Sequence, residues 1–498
     1  MISSQSWRLL VLVGGAVGVV AGCGDDSASS ASDSASASAS VSASASASEG
    51  ESASESESAS ESAGSVSDSQ GSSSSAGATT SEDTTTSAGT TASTTANETA
   101  LSDSNSDSDS DSDSGTTGAD CGGMMGAFDF SYLWVANTDQ GSVSKVNTFT
   151  QVEEGRYYSD PIEDASADPS RTSVNIDGHY VVVSNRGAGT VTKVAASKDD
   201  CVDKNNNGIE SSPDKDTLLP YDSEDCILWT TKVNTPYAPS AGPRATAWDP
   251  GTLNEATCEY DDQKVWVGYM AGPGKAELAR INGDSGEIEA TVELPNWPLT
   301  VEPTGFAPYG AAADAVGNIW TTAVFSSVAY RINRETLEVT SWTSPFAERH
   351  YGMTVDNKGR AWFASNDAPA VGVTVFDPFD ESWTAIPGTE GLHGRGIAVD
   401  TSGSVWVATN PAGPMGCGVL QIDSDTLSVI THHTFEKCQI PLGVSVDVDG
   451  MIWMVDYYGW AYMIDPGTYE KTLVTIPNIH YTYSDMTGGG LAGAVKPQ

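Results

Sequence analysis

The chain has 498 residues and a formal net charge of −44, from 67 acidic against 23 basic side chains. A phosphate backbone is bound through clustered Lys and Arg, and no such cluster interrupts the acidic excess, so nucleic acid is excluded as a partner. The composition is not uniform along the chain: between Arg8 and Lys145 there is no Lys or Arg at all.

At the N-terminus Arg8 precedes an apolar run from Leu9 to Ala21. That run is short for a bilayer span and reads as a signal peptide over residues 1–22. It ends Val20-Ala21-Gly22-Cys23, which resembles the lipobox of bacterial lipoproteins. The resemblance implies a lipid on Cys23, and so a membrane partner with an outer-membrane or cell-surface address, the periplasmic side being the alternative. Several acyl chains hold far more firmly than one. An ordinary secretory peptide with a chance cysteine is the other reading.

Residues 23–118 are almost wholly Ser, Ala, Thr, Asp, Glu and Gly. Such a segment has too little apolar surface to offset the entropy of ordering, which predicts a disordered tether. As a flexible coil it reaches about 50–60 Å, more if its carboxylates repel. A glycosylated stalk or an acidic interaction segment fits the same composition.

From residue 119 to residue 498 short alternating stretches are punctuated by Gly, Asn and Asp, as strands and hairpins are. The clearest unit is His393–Asp423: a strand ending Gly396-Ile-Ala-Val-Asp400, a turn at Thr401–Gly403, a strand around Trp406, and a third at Val419–Asp423. Its order of Gly, Asp, turn Gly and Trp recurs at Gly310/Asp314/Gly317/Trp320, Gly352/Asp356/Gly359/Trp362 and Gly443/Asp447/Gly450/Trp453, and the tryptophans stand 42, 44 and 47 residues apart. A period of that length built of short strands predicts an all-β fold, a β-propeller.

Three less regular units precede the four clear ones. Tyr132–Asn137 with Ser142–Val146 lacks a first strand; Ser173–Asp177, His179–Ser184 and Thr190–Val194 form a second unit; Arg244–Asp249, Lys264–Gly268 and Ala279–Asn282 form a third. That makes seven blades. The stretch after Ile479 is left over and is expected to supply the strand missing from the first blade, closing the ring.

An insertion at about residues 197–239 does not fit the repeat. Within it Asp203, Asn205, Asn207, Ile209, Ser211 and Asp214 fall at positions 1, 3, 5, 7, 9 and 12 of a loop with Gly208 at 6. That is the spacing of an EF-hand-type calcium loop, with Ile209 offering its carbonyl. It resembles the loops of dockerins and thrombospondin type 3 repeats, although Asp214 replaces the usual Glu. An Asn/Asp-rich surface turn is the competing reading.

Apart from Cys23 there are six cysteines, an even number that in an exported chain predicts disulfides. The sequence-local pairs Cys201 with Cys226 and Cys417 with Cys438 are favoured, leaving Cys121 with Cys258.

The units quoted above look like those of the virginiamycin B lyase family of seven-bladed propellers, over about residues 125–490. Those lyases open a cyclic depsipeptide antibiotic by elimination. The resemblance implies a His as acid or base and two Glu residues holding magnesium, which would be a cofactor only if this chain were lyase-like. Aligned on Gly352, the His position holds Tyr351, the first Glu position Arg349 and the second Asn366. The other clear copies put Tyr309, Arg395 and Leu442 before their glycines, so none supplies the His.

Glu348, His350 and His393 nonetheless precede the innermost strands of adjacent blades and are the candidates for a catalytic or metal role at the channel mouth. The repeating tryptophans read as core; a sugar-stacking role for them and for Tyr457-Tyr458-Gly459-Trp460 is the alternative. Three functions compete: a monomeric module binding a small molecule, glycan or protein on a propeller face, a lyase or other metal-dependent enzyme, and a surface structural lipoprotein.

Overall fold

The computed structural model describes residues 130–300, 305–366, 370–410 and 412–495. The expected signal peptide and tether, with Cys23 and Cys121, lie outside the described residues.

The repeat reads Gly, Asp, Gly, Trp because of the turn between the inner strands of each blade. Asp400 Oδ1 accepts the backbone N–H of Ser402 and Ser404, both at 2.9 Å, while Oδ2 accepts Trp406 Nε1 at 2.8 Å. Gly403 between them has φ +85°, the left-handed region that favours glycine. The same indole-to-carboxylate bond joins Trp362 to Asp356 and Trp453 to Asp447 at 2.8 Å, Trp320 to Asp314 at 3.3 Å and Trp266 to Asp249 at 3.0 Å. All five indoles are fully buried, each contributing about 1.5–3 kcal/mol of apolar burial while its polar N–H is satisfied.

These units build seven antiparallel sheets. Blade 1 holds β1 (Tyr132–Asn137), β2 (Ser142–Asn147) and β3 (Val152–Tyr158); blade 2 holds β4 (Pro169–Val174), β5 (Tyr180–Asn185), β6 (Thr190–Ala195) and β7 (Ile227–Lys232). Blade 3 holds β8 (Thr246–Trp248), then an added hairpin β9 (Thr252–Asn254) and β10 (Glu259–Asp261), then β11 (Lys264–Gly272), β12 (Lys275–Asn282) and β13 (Ile288–Glu293). Blade 4 holds β14 (Pro308–Ala313), β15 (Ile319–Ala323), β16 (Val328–Ile332) and β17 (Val339–Thr343). Blade 5 holds β18 (His350–Val355), β19 (Ala361–Ser365), β20 (Val373–Asp377) and β21 (Ser382–Ala385). Blade 6 holds β22 (Gly394–Val399), β23 (Ser404–Thr409), β24 (Gly418–Asp423) and β25 (Ser428–Thr434). Blade 7 holds β26 (Pro441–Val446), β27 (Ile452–Asp456), β28 (Tyr458–Ile464) and β29 (Lys471–Ile479), and one short helix follows, α1 (Gly489–Val495).

The repeated glycine of the innermost strand marks where blades meet. A Cβ at Gly352 would stand 2.0 Å from the Arg395 carbonyl oxygen, and one at Gly396 2.3 Å from that of Leu442. The innermost strands of blades 5, 6 and 7 therefore approach more closely than any side chain would allow.

The ring closes through the C-terminus, as expected. His480 pairs antiparallel with Asn137 of β1, Trp134 N–H donates to the Met486 carbonyl at 3.0 Å, and Tyr483 pairs in parallel with Arg171 of β4. The C-terminal segment thus completes blade 1 and covers an otherwise open strand edge.

Two boundaries differ from the sequence reading. β7, the outer strand of blade 2, falls inside the stretch read as insertion, so the excursion runs from β6 to β7 and is joined across its base by the Cys201–Cys226 disulfide. In blade 2 the turn position belongs to Asn175, whose side-chain oxygen accepts Tyr180 N–H at 2.9 Å, rather than to Asp177. Cys417 is bonded to Cys438, and Cys258 is also disulfide-bonded, its expected partner Cys121 lying outside the described residues.

Candidate functional site

Each innermost strand from blade 4 to blade 7 carries a register shift at its start: between Pro308 and Ala311, His350 and Gly352, Gly394 and Ile397, and Pro441 and Gly443. A bulge leaves a residue out of the ladder and re-aims its side chain. The displaced positions include Tyr309, Tyr351, Arg395 and Leu442, and they bring those side chains together with side chains from blades 1, 2 and 3.

Tyr481 and Tyr483 arrive on the C-terminal strand. The Tyr351 hydroxyl lies 2.8 Å from both the Tyr481 and the Tyr483 hydroxyl, and Tyr309 lies 2.5 Å from Tyr481. Arg395 Nη1 donates to Tyr351 at 3.1 Å and to Tyr483 at 3.4 Å. The Arg171 guanidinium sits 4.1 Å from the ring centre of Tyr483 and 4.5 Å from that of Tyr309, with Arg244 5.2 Å from Phe306 and 5.9 Å from Tyr309. Guanidiniums stacked on aromatic faces gain more as water is excluded, and all of these side chains are buried. Phe325, Tyr457 and Ile440 pack against the cluster and are only partly buried, so this end of the innermost strands lies nearer solvent than the blade cores.

Arg395 has hydroxyl oxygens as its hydrogen-bond acceptors, and its Nε is buried with no acceptor. Burial pushes the Tyr483 phenol well above its ordinary value, so that phenol stays neutral and offers Arg395 no countercharge.

The opposite end of the channel is covered by α1, which packs against β14, β18, β22 and β26. Asp485 accepts Gly488 N–H at 2.9 Å and Leu491 N–H at 2.7 Å, fixing the start of the helix. A cavity of about 40 Å³ beneath it is lined mainly by apolar side chains, among them Ala247, Met353, Ile397 and Leu491.

Glu348 and His350 do come together, but inside the protein. Glu348 Oε1 lies 3.1 Å from His350 Nε2, and Glu348 Oε2 accepts Ser344 Oγ–H at 2.6 Å. His350 Nδ1 lies 2.8 Å from Thr322 Oγ1, and the ring stacks 4.2 Å from Phe363. Both side chains have no exposed surface. The bulge that sends Tyr351 to the channel turns its neighbour His350 into the blade. His393 is half-buried on the loop before β22, and its carbonyl accepts Asn410 N–H at 3.0 Å.

In the insertion, Asp203 Oδ2 accepts Gly208 N–H at 2.9 Å and Asn205 Oδ1 accepts Asn207 N–H at 3.0 Å. The Gly208 N–H, helped by the other backbone N–H groups of the loop that point at Asp203, holds its carboxyl below the ordinary range. Asp214 closes a separate turn, accepting Asp216 N–H at 2.9 Å and Thr217 N–H at 2.8 Å. Ile209 is exposed. Among the described residues one His, Cys, Asp or Glu group gathers at metal-ligand spacing, Cys417, Cys438 and Asp456, and its two sulfurs are joined in a disulfide.

Among the described residues, the side chains that meet in the cluster itself are guanidiniums and phenols, whereas a hard dication such as magnesium prefers oxygen ligands carrying negative charge.

The repeating tryptophans are core, and of the Tyr457–Trp460 group only Tyr458 is exposed. The arginines of blades 2 and 3 were missed in the sequence. Arg244 stands immediately before the position equivalent to Gly310, and stepping that position through every blade would have found it.

No family model matches the sequence, and no curated protein matches it either. Solved structures show similarity to parts of this chain. Virginiamycin B lyase from Staphylococcus aureus is 16% identical with a TM-score of 0.42 over 62% of this chain and 85% of that one. AztD from Citrobacter koseri is 11% identical with a TM-score of 0.44 over 71% and 97%. A protein from Lactobacillus plantarum is 14% identical with a TM-score of 0.47 over 71% and 98%. By its own sheet order this chain is a seven-bladed β-propeller.

Proposed function

We propose that the propeller is a binding module that takes its ligand at the tyrosine and arginine floor of the channel mouth. The observation that carries this is the register. Bulges at the starts of successive innermost strands aim Tyr309, Tyr351 and Arg395 at one point, where fixed hydroxyls, aromatic faces and a guanidinium can recognise a ligand. A general base within reach of a carbon-bound proton is what a lyase would require, and the imidazole and carboxylate once eligible, His350 and Glu348, are sealed inside blade 5. The Cys23 lipid and the tether are proposed to hold this module away from a membrane at the cell envelope. Calcium is proposed to bind the loop beginning at Asp203, supported by the inward turn of the Asp203 and Asn205 oxygens.

A thermal-shift panel of small organic acids, sugars, amino acids, nucleotides and short peptides tests the location of the site. Ligands should raise the melting temperature of the wild type and lose that effect in Tyr351→Leu. Shifts that persist unchanged in the variant would place binding elsewhere.

A further inference from the structure

We propose that the ligand's recognised group is an oxyanion, a carboxylate or phosphate held by Arg395. This rests on the channel-mouth reading above and deepens it by naming the chemistry.

Arg395 is 6% exposed, so its guanidinium is almost entirely removed from water. A guanidinium remains protonated at any physiological pH, and a buried charge is costly unless paired or fully hydrogen-bonded. The bonds it makes, to the Tyr351 and Tyr483 hydroxyls, are dipolar, and Nε is buried with no acceptor. Among the described residues it makes no carboxylate ion pair. Two more guanidiniums, Arg171 and Arg244, reach the same aromatic cluster from blades 2 and 3. The planar fork of arginine matches a carboxylate or phosphate through two parallel N–H···O bonds. The Tyr351 and Tyr483 hydroxyls, already fixed against Nη1, are placed to orient the same group.

Benzoate, benzamide and inorganic phosphate are suitable probes, because the first two share a shape and differ in charge. Calorimetric titration of the full chain should show benzoate binding roughly tenfold or more tightly than benzamide, as expected for a desolvated charge-assisted pair. Arg395→Met should abolish the difference, and Arg395→Lys should restore part of it by returning the charge without the fork. Phosphate binding without benzoate supports the proposal and selects the phosphate class. Equal affinity for benzoate and benzamide, both lost in Tyr351→Leu, overturns the oxyanion while leaving the site in place. No binding of benzoate or phosphate overturns the proposal, and the panel described above then decides separately whether a neutral ligand uses the channel mouth. Should Arg395→Met fail to fold, tyrosine difference absorption of the wild type decides: benzoate must perturb it where benzamide does not, and an unperturbed spectrum overturns the proposal.

Discussion

Trp406 donates its indole N–H to Asp400 at 2.8 Å, and the other oxygen of that carboxylate holds the turn between them. A single aspartate therefore ties a blade's tryptophan to its hairpin. Asp400→Ala would leave two buried donors, Ser404 N–H and Trp406 Nε1, without an acceptor and is expected to cost about 3 kcal/mol, since each unsatisfied group costs roughly 1–3 kcal/mol with partial relaxation. Asp425→Ala, which removes an exposed partner of Lys358, should change stability by less than about 0.5 kcal/mol. Chemical denaturation of both variants checks the contrast.

The Glu348–His350 pair should prove structural. His350→Ala leaves a buried carboxylate without its imidazole and is expected to destabilise by about 3–5 kcal/mol. Because the pair lies within blade 5, ligand affinity at the channel mouth should be unchanged in the folded fraction of the variant. A large affinity loss at unchanged stability would return His350 to the site.

His480 links ring closure to pH. Its Nε2 donates to the Ile476 carbonyl at 2.8 Å, and burial lowers its pKa to about 4 from the ordinary 6.5. Between those values the unfolded chain binds a proton that the folded one does not, so stability is full above pH 6.5 and falls as pH drops towards 4. His433, lowered to about 4 mainly by burial, acts in the same direction. Melting temperature should fall from pH 7 to pH 5, and less steeply in His480→Gln than in the wild type. An identical slope in both would contradict this assignment.

Calcium should raise the melting temperature, and Asp203→Ala should abolish the effect. At a hundred times Kd, one site contributes about 2.7 kcal/mol. If calcium leaves the wild type unchanged, the loop is a turn held only by its own backbone bonds.

The inner strands were legible because they are buried on both faces and bounded by turn residues that the Asp–Trp bond requires. The outer strands were not. β13 (Ile288–Glu293) and β17 (Val339–Thr343) are mostly exposed, and solvent imposes little alternation on such sequences. The sequence placed Tyr309, Tyr351 and Arg395 at equivalent positions but could not reveal their partners, because Tyr481 and Tyr483 enter from the far end of the chain. Glu348 and His350 were misplaced at the mouth for a local reason. Successive side chains on a strand face opposite ways, so with Tyr351 in the aromatic cluster its neighbour His350 is turned into the blade.

The account's central claim is that this propeller binds without breaking its ligand. The purified protein should be incubated with virginiamycin B and magnesium and followed by chromatography, since elimination opens the ring without changing mass. The account predicts that the antibiotic is recovered intact at every time point. A ring-opened product that disappears in Tyr351→Leu or Arg395→Met would contradict it, by showing that the channel floor performs chemistry.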